Sequence, residues 1–171
     1  MGFNMSDKKQ FLLVVCVFAL VAIIVGWIYI GSNNEVDNVT NFTIIDGKIE
    51  SYDAHESIVE LPYIYKLDSN GRAIFGYDKK VEVLGAKAFS ESNIIDRLAI
   101  SININIIEDN AFDNLEDLEI LILRGSNPPV ISASEIQSLT NLQTIYIYKD
   151  YKQNYLADSV WSLFADKIEI I

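Results

Sequence analysis

One stretch of sequence occurs twice, 23 residues apart, and this recurrence restricts the chain more than any other feature. Val81-Glu-Val-Leu84-Gly-Ala-Lys-Ala88-Phe89 returns as Ile104-Asn-Ile-Ile107-Glu-Asp-Asn-Ala111-Phe112. The same shift carries Ile95, Leu98 and Ile100 onto Leu118, Leu121 and Leu123, and a further 24 residues lead to Leu142, Ile145 and Ile147. A period of this length falls in the window of leucine-rich repeats. In L-x-x-L-x-L the last two apolar positions lie two apart, so both face one side of a short strand. The Ala-Phe pair belongs to the opposite wall of each coil, where the small residue permits close approach and the ring fills the interior. One coil cannot bury these groups alone; a stacked neighbour closes the core and supplies hydrogen-bond partners to the strand. The expected fold class is a leucine-rich repeat solenoid, mostly β, with parallel stacked strands and short helical or irregular connections, preceded by one N-terminal transmembrane helix.

That helix is expected from residues 11–30, FLLVVCVFALVAIIVGWIYI, which contain no charge and no proline. At about 1.5 Å per residue they span roughly 30 Å, the hydrocarbon thickness of a bilayer. Trp27 and Tyr29 stand near the far end, where amphipathic rings favour the lipid–water interface. Cys16 reads as a lipid-facing apolar residue. Lys8 and Lys9 precede the run, whereas Glu35 and Asp37 follow it and the next basic residue is Lys48. The positive-inside rule then places residues 1–10 in the cytoplasm and the remainder outside a cell membrane crossed once. A secretory signal peptide is the competing reading: the basic n-region fits it, but the apolar run is long and no A-x-A-like cleavage site closes it. Retention and cleavage both stay open.

The chain has 171 residues, enough for one domain with a short appendage. Its net charge of -11 disfavours nucleic acid, whose phosphates require clustered Lys and Arg. One Cys rules out an internal disulfide and a multi-thiolate zinc site, and one His rules out a His-rich metal centre. No cofactor and no metal ligand set is expected.

Residues 31–41 read as a polar stalk, in which Asn38-Val-Thr40 and Asn41-Phe-Thr43 match the glycosylation sequon, a match that matters only where that pathway operates. Strands are expected near residues 42–45 and 48–52 around Asp46-Gly47, a strong hairpin signal. This hairpin, within residues 42–57, is the expected N-terminal cap. Residues 58–148 hold the repeats, with an insertion or irregular coil at residues 65–80 around Asn70-Gly71. Residues 149–171 form the expected C-terminal cap, with Tyr155, Trp161 and Phe164 packed inward. Asn127-Pro128-Pro129 punctuates the chain between two coils, where proline disturbs no ladder.

The order V-x-x-[IL]-G-x-x-A-F, then L-x-x-L-x-I, resembles the BspA-type leucine-rich repeats of microbial surface proteins. The resemblance covers roughly residues 42–171. Phe42-Thr-Ile-Ile-Asp-Gly-Lys-Ile-Glu-Ser-Tyr52 is similar to the hairpin preceding such arrays, and Val59-Glu-Leu61-Pro62 to their first I-x-I-P strand. Ile145-Tyr-Ile-Tyr, Tyr151-Lys-Gln-Asn-Tyr155, Trp161 and Phe164-Ala-Asp-Lys-Ile-Glu-Ile resemble their terminal unit. Glu108 departs from the usual Gly, a mid-repeat Cys is absent, and Pro does not follow Ile100, Leu123 or Ile147. The resemblance implies a membrane-anchored surface module for adhesion, with an external protein or glycan ligand and no catalysis. The alternative is a structural spacer or subunit of an envelope complex, in which the apolar segment is the interacting element.

If Leu98/Ile100, Leu121/Leu123 and Ile145/Ile147 face inward, their strand neighbours face out. Ile120, Ile122, Tyr146 and Tyr148 then form an apolar-aromatic patch with Arg124 and Lys149 at its rim, the composition of an interface hot spot. The competing expectations are a patch covered by the C-terminal segment, or one that merely fills a flat sheet face. Catalysis finds no motif. His55 stands beside Asp53 and Glu56 with Ser57 near, but no buried third member or oxyanion loop is recognisable. Glu108-Asp109 and Glu116-Asp117-Leu-Glu119 lack the spacing and glycine of a calcium loop and read as a solvated face.

Overall fold

The computed structural model describes residues 41–92 and 94–171. The expected cytoplasmic N-terminus, membrane span and the stalk up to residue 40 lie outside the described residues. Among those described, no helix is long and apolar enough to cross a membrane.

Phe42–Ile45 (β1) and Lys48–Tyr52 (β2) pair antiparallel, with Phe42 and Ile44 buried and Thr43 and Ile45 exposed. Asp46 and Gly47 both take positive φ, 48° and 83°, the twist of a two-residue hairpin turn. The turn is tied from two sides. Gly47 N–H donates to the buried Tyr65 hydroxyl at 2.9 Å, and its carbonyl accepts from Glu82 N–H at 2.8 Å. A short strand, Ile58–Glu60 (β3), follows. Then Ile64–Leu67 (β4) and Ala73–Lys80 (β5) form a second antiparallel hairpin. Asp68 closes it: its Oδ1 accepts from the N–H groups of Asn70 and Arg72 at 2.8 and 2.9 Å, and Gly71 takes φ +77°. Of the two expectations for residues 65–80, an insertion or an irregular coil, the structure shows an inserted, ordered hairpin, because an aspartate-capped turn organises two strands that the repeat period does not describe.

From Val83 onward the period governs the backbone. Val83–Leu84 (β6), Arg97–Ile100 (β7), Ile106–Ile107 (β8), Ile120–Leu123 (β9), Thr144–Ile147 (β10) and Ile168–Ile170 (β11) complete the strands. Two parallel ladders result. One sheet has the order β1-β2-β6-β8, and the other β11-β10-β9-β7-β3. Leu98 pairs with Leu121 and Leu121 with Ile145; Ile100 pairs with Leu123 and Leu123 with Ile147. The 23- and 24-residue displacements are thus met as parallel neighbours in register. All six aliphatic side chains are buried in one cluster that runs from Phe42 to Ile168.

The repeat also recurs in the turns. Lys87 and Asn110, 23 residues apart, both take left-handed φ, 62° and 65°, just before the buried Ala88-Phe89 and Ala111-Phe112. Each turn exposes backbone N–H groups that need acceptors. A carboxylate from further along the chain supplies them. Glu108 Oε2 accepts from Ala86 N–H at 2.9 Å. Glu135, 8% exposed on helix Ala133–Ser138 (α1), accepts from Asn110 and Phe112 N–H at 2.7 and 3.3 Å. Glu108 replaces a glycine of the resembled pattern and uses its side chain as this clasp. Gly85, its repeat counterpart, sits where a Cβ would meet Ile49 O at 2.5 Å.

The C-terminal segment contains a 3-10 turn at Lys149–Tyr151, helix Lys152–Ala157 (α2), a 3-10 turn at Trp161–Phe164, and β11. Tyr155, Trp161 and Phe164 are buried. Tyr155 Oη donates to Gly125 O at 3.0 Å, and Trp161 Nε1 donates to Pro129 O at 2.9 Å. Both rings therefore hold the proline-containing loop, which leads to a bridge between Val130 and Ile106 on β8.

The expected fold class requires correction. Instead of a leucine-rich repeat solenoid, the described chain is a mixed α/β fold of three small sheets, with four, five and two strands, and few, short helices. The reason is local. Two hairpins introduce antiparallel pairing, and one lies between β3 and β6, so the period does not govern residues 41–80.

Two expectations follow. Phe89 and Phe112 are 0% and 2% exposed, so Phe89→Ala and Phe112→Ala should each lower unfolding free energy by about 3–5 kcal/mol in urea titration. The Glu108 carboxyl is held below the usual range, first by Ala86 N–H and then by Lys48. Its stabilisation is present above the unfolded-state pKa and is lost as pH falls through the lower folded value. Glu108→Gln should flatten the acid limb of stability against pH and leave neutral-to-basic slopes unchanged.

Candidate functional site

Strands β9 and β10 point alternate residues in opposite directions. Leu121, Leu123, Ile145 and Ile147 are fully buried, whereas Ile120, Ile122, Thr144 and Tyr146 are half-buried on the outward face. In register, Ile120 lies beside Thr144 and Ile122 beside Tyr146. Tyr148, just past β10, is 42% exposed and meets the Tyr151 ring edge-on, with centroids 5.9 Å apart. The structure therefore brings Ile120, Ile122, Tyr146 and Tyr148 together on one face. β11 joins β10 in the plane of the sheet, pairing Ile145 with Ile168 and Tyr146 with Glu169. The C-terminal strand thus widens this sheet instead of lying across its face.

Arg124 plays a different part from the one expected of it at the rim. Its guanidinium forms a two-pronged ion pair with Glu60: Nη1 contacts Oε1, and Nη2 donates to Oε2 at 2.9 Å. Two parallel N–H···O contacts of this kind combine charge with fixed geometry. The partners sit on β3 and beyond the end of β9, with β7 between them. Ala99 and Ser101, on and just after that middle strand, are 5% and 4% exposed although their alternation is outward. The small Ala99 side chain leaves room for the pair to cross, and Ser101 turns its hydroxyl to Pro62 O at 3.1 Å.

Glu60, Tyr151 and Glu169 were not singled out by sequence reasoning. Glu169 had a signal, since it lies 23 residues beyond Tyr146. Glu60 had none, because the β4–β5 hairpin separates Ile58 from its in-register partner Arg97 by 39 residues.

Elsewhere, Asp53, His55 and Ser57 are all exposed, and Tyr52 Oη donates to Glu56 Oε2 at 3.3 Å. Burial, followed by the nearby Glu56 charge, raises the Tyr52 phenol pKa, so that hydroxyl stays protonated. Among the described residues, no group of three or more His, Cys, Asp or Glu is placed to hold a metal ion. A cleft of ≈ 570 Å³ lies between β1 and the β4–β5 turn, lined by Phe42, Ile44, Asp68, Arg72 and Ile74 among others. Its carboxylate, Asp68, is committed to the turn amides of Arg72 and Asn70, which hold its pKa below the ordinary range. The outward face of the five-stranded sheet is the better candidate, because its apolar groups are not consumed by an internal structural role.

No known family model and no curated protein matches the chain.

A double-mutant cycle on Glu60→Gln and Arg124→Gln should return a coupling of about 1 kcal/mol in urea unfolding, at the upper end for partly exposed pairs. Arg124→Lys should lose most of it, because an ammonium cannot reproduce the fork.

Proposed function

We propose that the chain is a cell-surface binding module without catalytic activity, tethered to a membrane by the apolar segment at residues 11–30 and engaging an external protein or glycan ligand. The observation that carries this reading is the alignment of Ile120, Ile122, Tyr146 and Tyr148 on the outward face of β9 and β10, with two of the four on each strand or its immediate end. Aromatic side chains among aliphatic ones supply large contact area at low cost in side-chain entropy, which favours an interface over a merely solvated sheet. The resemblance to BspA-type surface proteins supports the same assignment. So does the charge arrangement, with Lys8 and Lys9 before the apolar run and a net -12 beyond residue 30.

Two measurements test it. Immobilised full-length chain is expected to capture a component of surface extracts saturably, and Tyr146→Ser with Tyr148→Ser should weaken capture about tenfold or more. Circular dichroism of that variant should remain unchanged. Capture indifferent to the substitutions but lost on removal of residues 1–40 would select the envelope-spacer reading. Intact mass of membrane-extracted protein should retain residues 11–30; a mature chain beginning after them would replace the anchor with secretion.

A further inference from the structure

The apolar patch on β9 and β10 is flanked on each side by one further strand, and the two flanks carry opposite charge. In the five-stranded sheet β7 lies beyond β9, and β11 lies beyond β10. Arg97 on β7 is exposed and in register with Ile120, so it shares the outward row of that residue. Glu169 on β11 is exposed and in register with Tyr146. Among the described residues neither enters an ion pair. Other cations near the face are placed differently. Arg124 is forked onto Glu60, and Lys167, just before β11, donates to Leu142 O at 2.7 Å. Lys149, exposed next to Tyr148, stands past the end of β10.

A partner of one charge sign satisfies one flank of this surface and is repelled by the other. A face with apolar groups in the middle and opposite charges one strand away on either side is complementary to itself. A second copy turned about a two-fold axis along the strands, over the β9–β10 boundary, lays β9 across β10 and β7 across β11. Such an isologous contact forms every pair twice. Ile120 and Ile122 then cover Thr144 and Tyr146 of the second copy, and Arg97 meets the strand that carries Glu169. The two charges are one outward row apart, about 7 Å along the strand, and extended arginine and glutamate side chains span that offset across the roughly 10 Å between stacked sheets.

Resting on the reading of this face as a binding surface, we infer that its partner is a second copy of the chain, held face to face with Arg97 of each copy on Glu169 of the other. Four short strands about 4.8 Å apart present roughly 250 Å² in projection, well below the ~800 Å² per partner of a standard interface. The contact is therefore weak in free solution and gains from tethering both copies to membrane, which raises their effective concentration. Residues 41–171 contain 11 basic and 21 acidic residues, a net charge of -10, so two copies repel at long range. Moderate salt screens that repulsion more than it screens the partly desolvated pairs, and strengthens association.

Sedimentation equilibrium of the full chain in density-matched nonionic detergent tests this, and a concentration-dependent dimer is expected. Arg97→Glu and Glu169→Arg each set like charges against one another twice, and each should weaken the dimer about tenfold. An equimolar mixture of these two variants should associate like the unsubstituted chain, because both pairs are restored in the mixed dimer. The double variant, whose net charge is unchanged, should recover likewise. Ile122→Ser with Tyr146→Ser should weaken association about tenfold or more with circular dichroism unchanged.

Single reversals without recovery in the mixture and the double variant would overturn the inference. So would a dimer indifferent to every face variant and lost on removal of residues 1–40, which assigns association to the apolar segment. A chain that stays monomeric while its capture of surface extract is still lost with Ile122→Ser and Tyr146→Ser overturns the second copy as partner and leaves the binding face standing. Insensitivity of both self-association and capture to those substitutions would instead remove the underlying functional reading.

Discussion

Parallel pairing in register between Leu98, Leu121 and Ile145 is the constraint on which the rest of the described fold depends. β7, β9 and β10 have only four residues each, too few to persist alone. Each contributes two aliphatic side chains that are 0–2% exposed. A strand of this kind gains burial and backbone partners together, from the same neighbours, and loses them together. The ladder must therefore be continued or ended at each side. β3 ends it on one side and β11 on the other, while β2, β6 and β8 repeat the solution across the shared core. The position of the outward face follows directly. Once the even-spaced apolar positions are committed inward, pleating sends Ile120, Ile122 and Tyr146 outward with no further choice.

The connections are specified as closely as the strands. Left-handed turns at Lys87 and Asn110 send the chain back toward Phe89 and Phe112, and the N–H groups they expose are met by Glu108 and Glu135. These carboxylates act across repeats, each fixing a turn that precedes it by more than twenty residues. Tyr155 and Trp161 do the same for the proline loop through one polar atom each, with their rings edge-to-face at 5.8 Å. The terminal segment thus orders a loop as well as covering apolar surface. Burial raises the Tyr155 phenol pKa, which keeps its hydroxyl a donor well above neutral pH.

Period and alternation were legible wherever a residue's place depends on its neighbours in sequence. The first hairpin falls at residues 42–45 and 48–52, where Asp46-Gly47 and the flanking alternation place it. The aligned columns at Leu98, Leu121 and Ile145, and the buried Tyr155, Trp161 and Phe164, follow from spacing and from residue type. The second hairpin was not legible, since the Asp68 turn acts through one side chain and two amides and leaves no periodic trace. Its presence changes the fold class, because it mixes antiparallel pairs into a chain that is periodic only from Val81 onward. The role of Glu108 was concealed for a related reason. In sequence it is a missing glycine, and only the folded turn shows that its carboxylate makes a hydrogen bond to Ala86 N–H of the preceding repeat.

The same separation of near from far in sequence governs the candidate site. Its apolar members lie on adjacent strands one period apart and could be named from the pattern. Its electrostatics could not, because Glu60 reaches Arg124 across β7 and across an insertion that abolishes any fixed offset. This pair sets the character of the surface more than its modest strength suggests. A free arginine beside Tyr146 and Tyr148 would make the patch attractive to carboxylates and phosphates. An arginine forked onto a carboxylate presents no net charge and few remaining donors, which leaves exposed charges of both signs beside the patch: Arg97 in register with Ile120, Lys149 next to Tyr148, and Glu169 in register with Tyr146. Ala99, on the strand between the paired ions, is in register with Glu60 on one side and Ile122 on the other. A larger side chain there would stand between β3 and β9, hold the two ions apart and return a cation to the face.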